Sequence, residues 1–137
     1  MFKLKKTFGN SNKAFTLAEV LVVIGIIALL AAISIPYLLS ARISSNNAAA
    51  QATLKSISNA MENYMAINSV YPSATSELLG VNPPYLSVDY FTGSHNGFNF
   101  TPTISSFAYS ILATPVLMGK TGSASYTIST GAVLTTN

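Results

Sequence analysis

Apolar positions along this chain fall into successive regimes of spacing, and each predicts a different element. From Val20 to Leu39 nearly every residue is apolar, and no charged residue occurs from Val20 to Ala41. About 20 such residues are what an α-helix needs to cross ~30 Å of membrane hydrocarbon. From Ala50 the apolar residues thin to a stripe. Ala50, Leu54, Ile57, Met61 and Tyr64 recur at alternating four- and three-residue spacing, the period of one face of an amphipathic helix. Lys55, Ser58, Asn59, Glu62 and Asn63 lie off that stripe. After Gly97 the period drops to two. Phe98 and Phe100 alternate with Asn99 and Thr101. Phe107, Tyr109 and Ile111 alternate with Ala108, Ser110 and Leu112, and Tyr126 and Ile128 with Thr127 and Ser129. Thr130-Gly131 then predicts a turn into Ala132-Val133-Leu134.

Together these patterns predict an α+β chain: one long helix from Phe15 to about Asn68, then three or four antiparallel strands with one face on the helix stripe. At ~1.5 Å per residue such a helix would be ~80 Å long. No small soluble domain buries that length. Its first half is apolar all round, as expected for a helix in lipid or in a bundle. Gly25, Ala28, Ala31 and Ala32 place small side chains at three- and four-residue spacing, which lets helices approach closely. Pro36 has no N–H for the carbonyl of Ala32 and its ring crowds that turn, so a helix kink is expected there. Between helix and strands, Ser73 is expected to cap a short helix over Ala74 to Leu79, with Gly80 as its stop. Pro83-Pro84 forces an extended turn, and Tyr85-Leu86 is then a packing anchor. Gly93 to Gly97 reads as a loop.

Charge narrows the function. The sequence pI is near 9.3, but Lys3, Lys5, Lys6 and Lys13 all precede the apolar run. Beyond Ala14, Arg42, Lys55 and Lys120 stand against Glu19, Glu62, Glu77 and Asp89: three basic and four acidic side chains, a balance of −1. The basicity therefore marks membrane topology, holding the leader in the cytoplasm, and argues against nucleic acid as a direct ligand. The apolar run is longer than the 7–15 residues of an ordinary secretory signal. With no cysteine, packing must hold the C-terminal region.

Little else suggests chemistry. Gly119-Lys120-Thr121 mimics the end of a phosphate loop, but Thr114 stands where that loop requires Gly, so a glycine hinge between strands is expected. His95 lies in a polar segment and reads as solvated. Asp89 is the only carboxylate after Glu77, too few acids for a calcium site. No paired acids, metal cluster or nucleophile with its base can be assembled, so neither an enzyme nor a cofactor is expected.

Glu19 remains. A carboxylate at the mouth of a membrane span is costly and marks function by default. Phe15-Thr16-Leu17-Ala18-Glu19, after a basic leader and before a long apolar helix with Pro36, resembles the type IV pilin and type II secretion pseudopilin family. The resemblance implies that a membrane prepilin peptidase cuts between Ala14 and Phe15 and methylates the new amine of Phe15. It implies a pilin-like fold divided as a cleaved leader (1–14), a transmembrane and filament-core helix half (15–39), and a periplasmic or extracellular head (40–137). In the family, Glu19 and Phe15 would act in filament assembly, and local helix unwinding would fall between Ala28 and Pro36. The implied partners are further copies in a helical filament, the peptidase, an assembly platform with its ATPase, and inner-membrane lipid. The subunit would sit in the inner membrane before assembly. Afterwards it would be part of a surface pilus or, alternatively, a periplasmic secretion pseudopilus. The major secretion pseudopilins carry a calcium site whose acids this sequence lacks, and the Ser- and Thr-rich head also favours a pilus.

Overall fold

The computed structural model describes residues 14–137; the leader lysines Lys3, Lys5, Lys6 and Lys13 lie outside them. The described chain is one long helix, α1 (Leu17–Asn68), followed by the short α2 (Ser76–Leu79) and five strands. It divides into two compact units, the first ending at Pro36 and the second comprising Tyr37–Asn137.

In the first unit the helix exposes its apolar side chains on every side, from Leu17 through Ile35. The hydroxyl of Ser34, a polar group within the run, donates to the carbonyl of Leu30 at 2.9 Å. That bond satisfies a group that lipid would otherwise leave unpaired. The helix continues through Pro36.

In the second unit α1 buries Ala50, Thr53, Leu54, Ile57, Ser58, Ala60 and Met61. The expected stripe is therefore present, and the buried face is wider than the stripe. Ser58, placed off it by spacing, is fully buried because its hydroxyl meets the Tyr109 hydroxyl at 2.7 Å. The helix stops where expected. Ser69 takes a left-handed φ of 61° and its N–H returns to the Met65 carbonyl at 2.8 Å, a C-terminal stop usually made by glycine.

The strands β1 (Ser94–His95), β2 (Phe98–Ile104), β3 (Tyr109–Pro115), β4 (Tyr126–Ser129) and β5 (Val133–Thr136) form one sheet in chain order. Every neighbouring pair is antiparallel. The α+β class is as expected; the sheet has one strand more than the three or four anticipated, because residues 94–95 pair with 98–99. Alternation sends Phe98 and Phe100, Tyr109, Ile111 and Ala113, and Tyr126 and Ile128 into a core shared with Leu54, Ile57 and Met61. Leu86 joins that core, and Tyr85 packs edge-on against Tyr64 with ring centroids 5.4 Å apart.

Other expectations need correction. Phe107 is not the first residue of β3; it lies in the turn before it and is 81% exposed. The Ser105 hydroxyl accepts from the Ala108 N–H and both ends of the turn bond across it, so the chain reverses before the alternation begins. The short helix starts at Ser76, not Ala74, and Ser73 does not cap it. Ser73 donates its hydroxyl and its N–H to the carboxylate of Glu77 instead. His95 is not simply solvated, since its ring packs against Tyr90 with centroids 5.3 Å apart.

Glu62 ties these pieces together. Its carboxylate accepts from the hydroxyls of Tyr71 and Tyr109 and from the Gly131 N–H, each at about 3.1 Å. One helix residue thus bonds the segment after α1, the start of β3 and the β4–β5 turn. Burial, followed by the neighbouring carboxylate, pushes the Tyr109 hydroxyl up to about 12. It therefore stays a donor throughout the physiological range.

Candidate assembly site at the start of the long helix

The site is built from consecutive residues around the first turn of α1. Thr16 precedes the helix as its N-terminal cap. Its hydroxyl accepts from the Glu19 N–H at 3.2 Å. Glu19 reaches back, its carboxylate accepting from the Thr16 N–H and the Thr16 hydroxyl, each at 2.8 Å. This reciprocal arrangement satisfies donors that a helix start would otherwise leave orphaned. The negative charge also lies at the positive end of the helix dipole. The Thr-x-x-Glu spacing that announces such a cap is plain in the sequence, but the apolar run after it directs attention to the charge alone.

Phe15, Ala18, Glu19, Val22 and Val23 line one open concavity on this stretch of helix. Ala14 and Phe15 immediately precede the cap, and both are exposed. Were the chain cut between them, a new amine at Phe15 would arise beside the Thr16–Glu19 pair. The sequence-selected residues Ala14, Phe15 and Glu19 are contiguous here, whereas Pro36 lies 17 positions further along the same helix.

The other polar clusters of the described residues are structural. Among the described residues no group of three or more His, Asp or Glu side chains could hold a metal ion. The groove lined by Asn63, Ile67, Val81, Pro83 and Tyr85 contains no carboxylate or imidazole. Glu77 is committed to Ser73 and Tyr64, and these hydrogen bonds hold its carboxyl below the usual range. Asp89 is likewise lowered by the Thr92 hydroxyl and the Phe91 N–H.

Comparison with known proteins picks out this same stretch of the chain. Residues 9–35 match the prokaryotic N-terminal methylation motif. More particularly, the chain is similar to the type IV wide pilus major component PilA4 of Thermus thermophilus, with 40% identity over 72 residues. The match covers 53% of this chain and 55% of that protein, so the chain spans about half the length of the relative.

Proposed function

We propose that this protein is a structural subunit of a type IV pilus-like helical filament, and not an enzyme. The observation that carries the reading is the methylation motif over residues 9–35, whose residues from Leu17 onward lie on a helix that exposes its apolar side chains all round. Water does not tolerate such a surface; lipid before assembly and neighbouring helices after it would cover it. Similarity to a pilus component favours a pilus over a secretion pseudopilus.

In this account the precursor spans the inner membrane once, with its basic leader cytoplasmic. A prepilin peptidase cuts between Ala14 and Phe15 and the Phe15 amine is methylated. Residues 15–39 then leave the bilayer for the filament core, while residues 40–137 form the outer head. Pro36 supplies the kink or local loosening that lets the helix bend in the bundle. An assembly platform and its ATPase drive the transfer.

Glu19 acts as a register device. Within an apolar filament core, the Phe15 amine of one subunit meets Glu19 of a neighbour or its own. A wrong axial offset leaves a charge unpaired and is penalised. Intact-mass analysis of the cell-surface protein tests the processing step. A mass beginning at methylated Phe15 is expected; retention of residues 1–14, or a cut beyond Ala32, removes the pilin reading.

A further inference from the structure

The connection between β3 and β4 carries a consecutive exposed apolar group, Val116, Leu117 and Met118, the last two 55% and 63% exposed. The Lys120 side chain beside them is also exposed. This is a firmly built loop. The N–H groups of Lys120 and Thr121 both donate to the Leu117 carbonyl, at 3.0 and 2.9 Å, and the Gly119 N–H donates to Gly122 at 2.8 Å. The loop is also fastened to α1. Asn46 donates to the Thr121 carbonyl at 2.9 Å, and Asn47 both donates to the Ser123 hydroxyl and accepts from the Ser123 N–H.

Those anchors fix the loop's height along the helix. Leu39 ends the apolar run and Asn46 lies seven residues later, a rise of about 10 Å. The polar layer of a bilayer outside its hydrocarbon is roughly 5–8 Å deep on each side, so the Asn46 anchor stands roughly 2–5 Å above it, a distance that a Leu or Met side chain can span. Tyr37, exposed near the end of the run, is a residue type that settles at that boundary. Beyond Ala14 the cations are Arg42, Lys55 and Lys120, and two of the three, Arg42 and Lys120, flank this level. Of the acids in the head, Glu62 and Glu77 are bonded to tyrosines and Asp89 to Phe91 and Thr92.

We propose that the 116–122 loop is a membrane foot. Before assembly, Leu117 and Met118 rest in the interfacial layer of the bilayer from which α1 emerges, and Lys120 and Arg42 pair with its anionic phospholipid headgroups. The inference rests on the membrane-spanning precursor described above. Its parts follow the chemistry of an interfacial anchor: apolar side chains to enter the acyl boundary, and cations to meet phosphate.

The absence of cysteine makes the test clean. The full chain, carrying a fluorophore at Leu117→Cys, is reconstituted in vesicles of three parts phosphatidylethanolamine to one part phosphatidylglycerol. Nitroxide lipids serve as quenchers. Parallel samples carry the label at Leu29→Cys within the apolar run, or at Phe107→Cys. Phe107 is near the far end of the β2–β3 pair, where Ile104 faces Tyr109 rather than Phe98 facing Pro115. Headgroup nitroxide is expected to quench the Leu117 label strongly and the Phe107 label little, and deep acyl nitroxide to quench the Leu29 label. Removing each cation, by Lys120→Gln or Arg42→Gln, is expected to lower the ratio of docked to undocked loop about fivefold. Neutral phosphatidylcholine vesicles should have the same effect as losing both. A Leu117 label no better quenched than Phe107, with Leu29 quenched, overturns the foot and leaves the span intact. An unquenched Leu29 overturns both. Shielding of Leu117 that grows only with protein-to-lipid ratio assigns the patch to a second copy and also overturns the proposal.

Discussion

A Glu19→Gln subunit, as the sole subunit in its strain, is expected to be inserted and cleaved normally yet to form few or no filaments. The choice of glutamine matters because Glu19 has two possible roles. In the isolated chain its carboxylate caps the helix through Thr16, a role glutamine also fills. Loss of such a cap costs about 1 kcal/mol. In the filament its charge would face a Phe15 amine, and leaving one partner of a buried pair alone costs on the order of 3–5 kcal/mol. At ~1.4 kcal/mol per decade, that is a weakening of about a hundredfold to several thousandfold at each subunit interface. Glu19→Ala removes cap and charge together and should fail in the same way. Cleaved Glu19→Gln protein that gives normal filament numbers would defeat the pairing mechanism and leave capping as the role of Glu19. Uncleaved protein would instead assign the residue to peptidase recognition.

The second large effect lies in the head, at Gly122. A Cβ there would sit 2.3 Å from Cζ of Phe98 and 2.9 Å from Cβ of Pro115. Phe98 is fully buried, so its ring has little room to retreat. Gly122→Ala is therefore expected to destabilise the head by about 1–3 kcal/mol through overpacking. Phe98→Ala should cost about 3–5 kcal/mol through the cavity it leaves. The two should not add, because the cavity removes the clash: in a Phe98→Ala background, Gly122→Ala should cost little or recover some stability. Thermal melting of the full chain in detergent, for both single variants and the double, measures this. Strict additivity would mean that the ring and the glycine do not compete for the same space.

The sequence made some of this visible for clear physical reasons. An unbroken apolar run and a four-three stripe have no other simple reading, so α1 and its end at Asn68 were legible. The alternation around Phe98, Ile111 and Ile128 likewise marked the inward face of the sheet. Polar residues were harder. Ser58 and Glu62 look like solvated helix positions until Tyr71, Tyr109 and Gly131 arrive from distant segments to bond them. Phe107 continues the period of two, but the period cannot reveal that the chain is still turning. The pairing of Ser94 and His95 depends on β2 folding back beside them and leaves no pattern in two residues. At the start of α1, Phe15 and Glu19 stood out, but the capping box between Thr16 and Glu19 did not, because the apolar run after it makes the lone charge the more conspicuous feature.

The proposed function requires that the chain, once cut, build a filament through the helix that begins at Phe15. Electron cryo-microscopy of filaments sheared from cells, at side-chain resolution, tests this most directly. Subunits of this chain are expected to start at Phe15, with residues 15–39 packed in the filament core and each Glu19 carboxylate beside a Phe15 amine. Filaments that retain residues 1–14, or that carry the 15–39 helix on their outer surface, would contradict it.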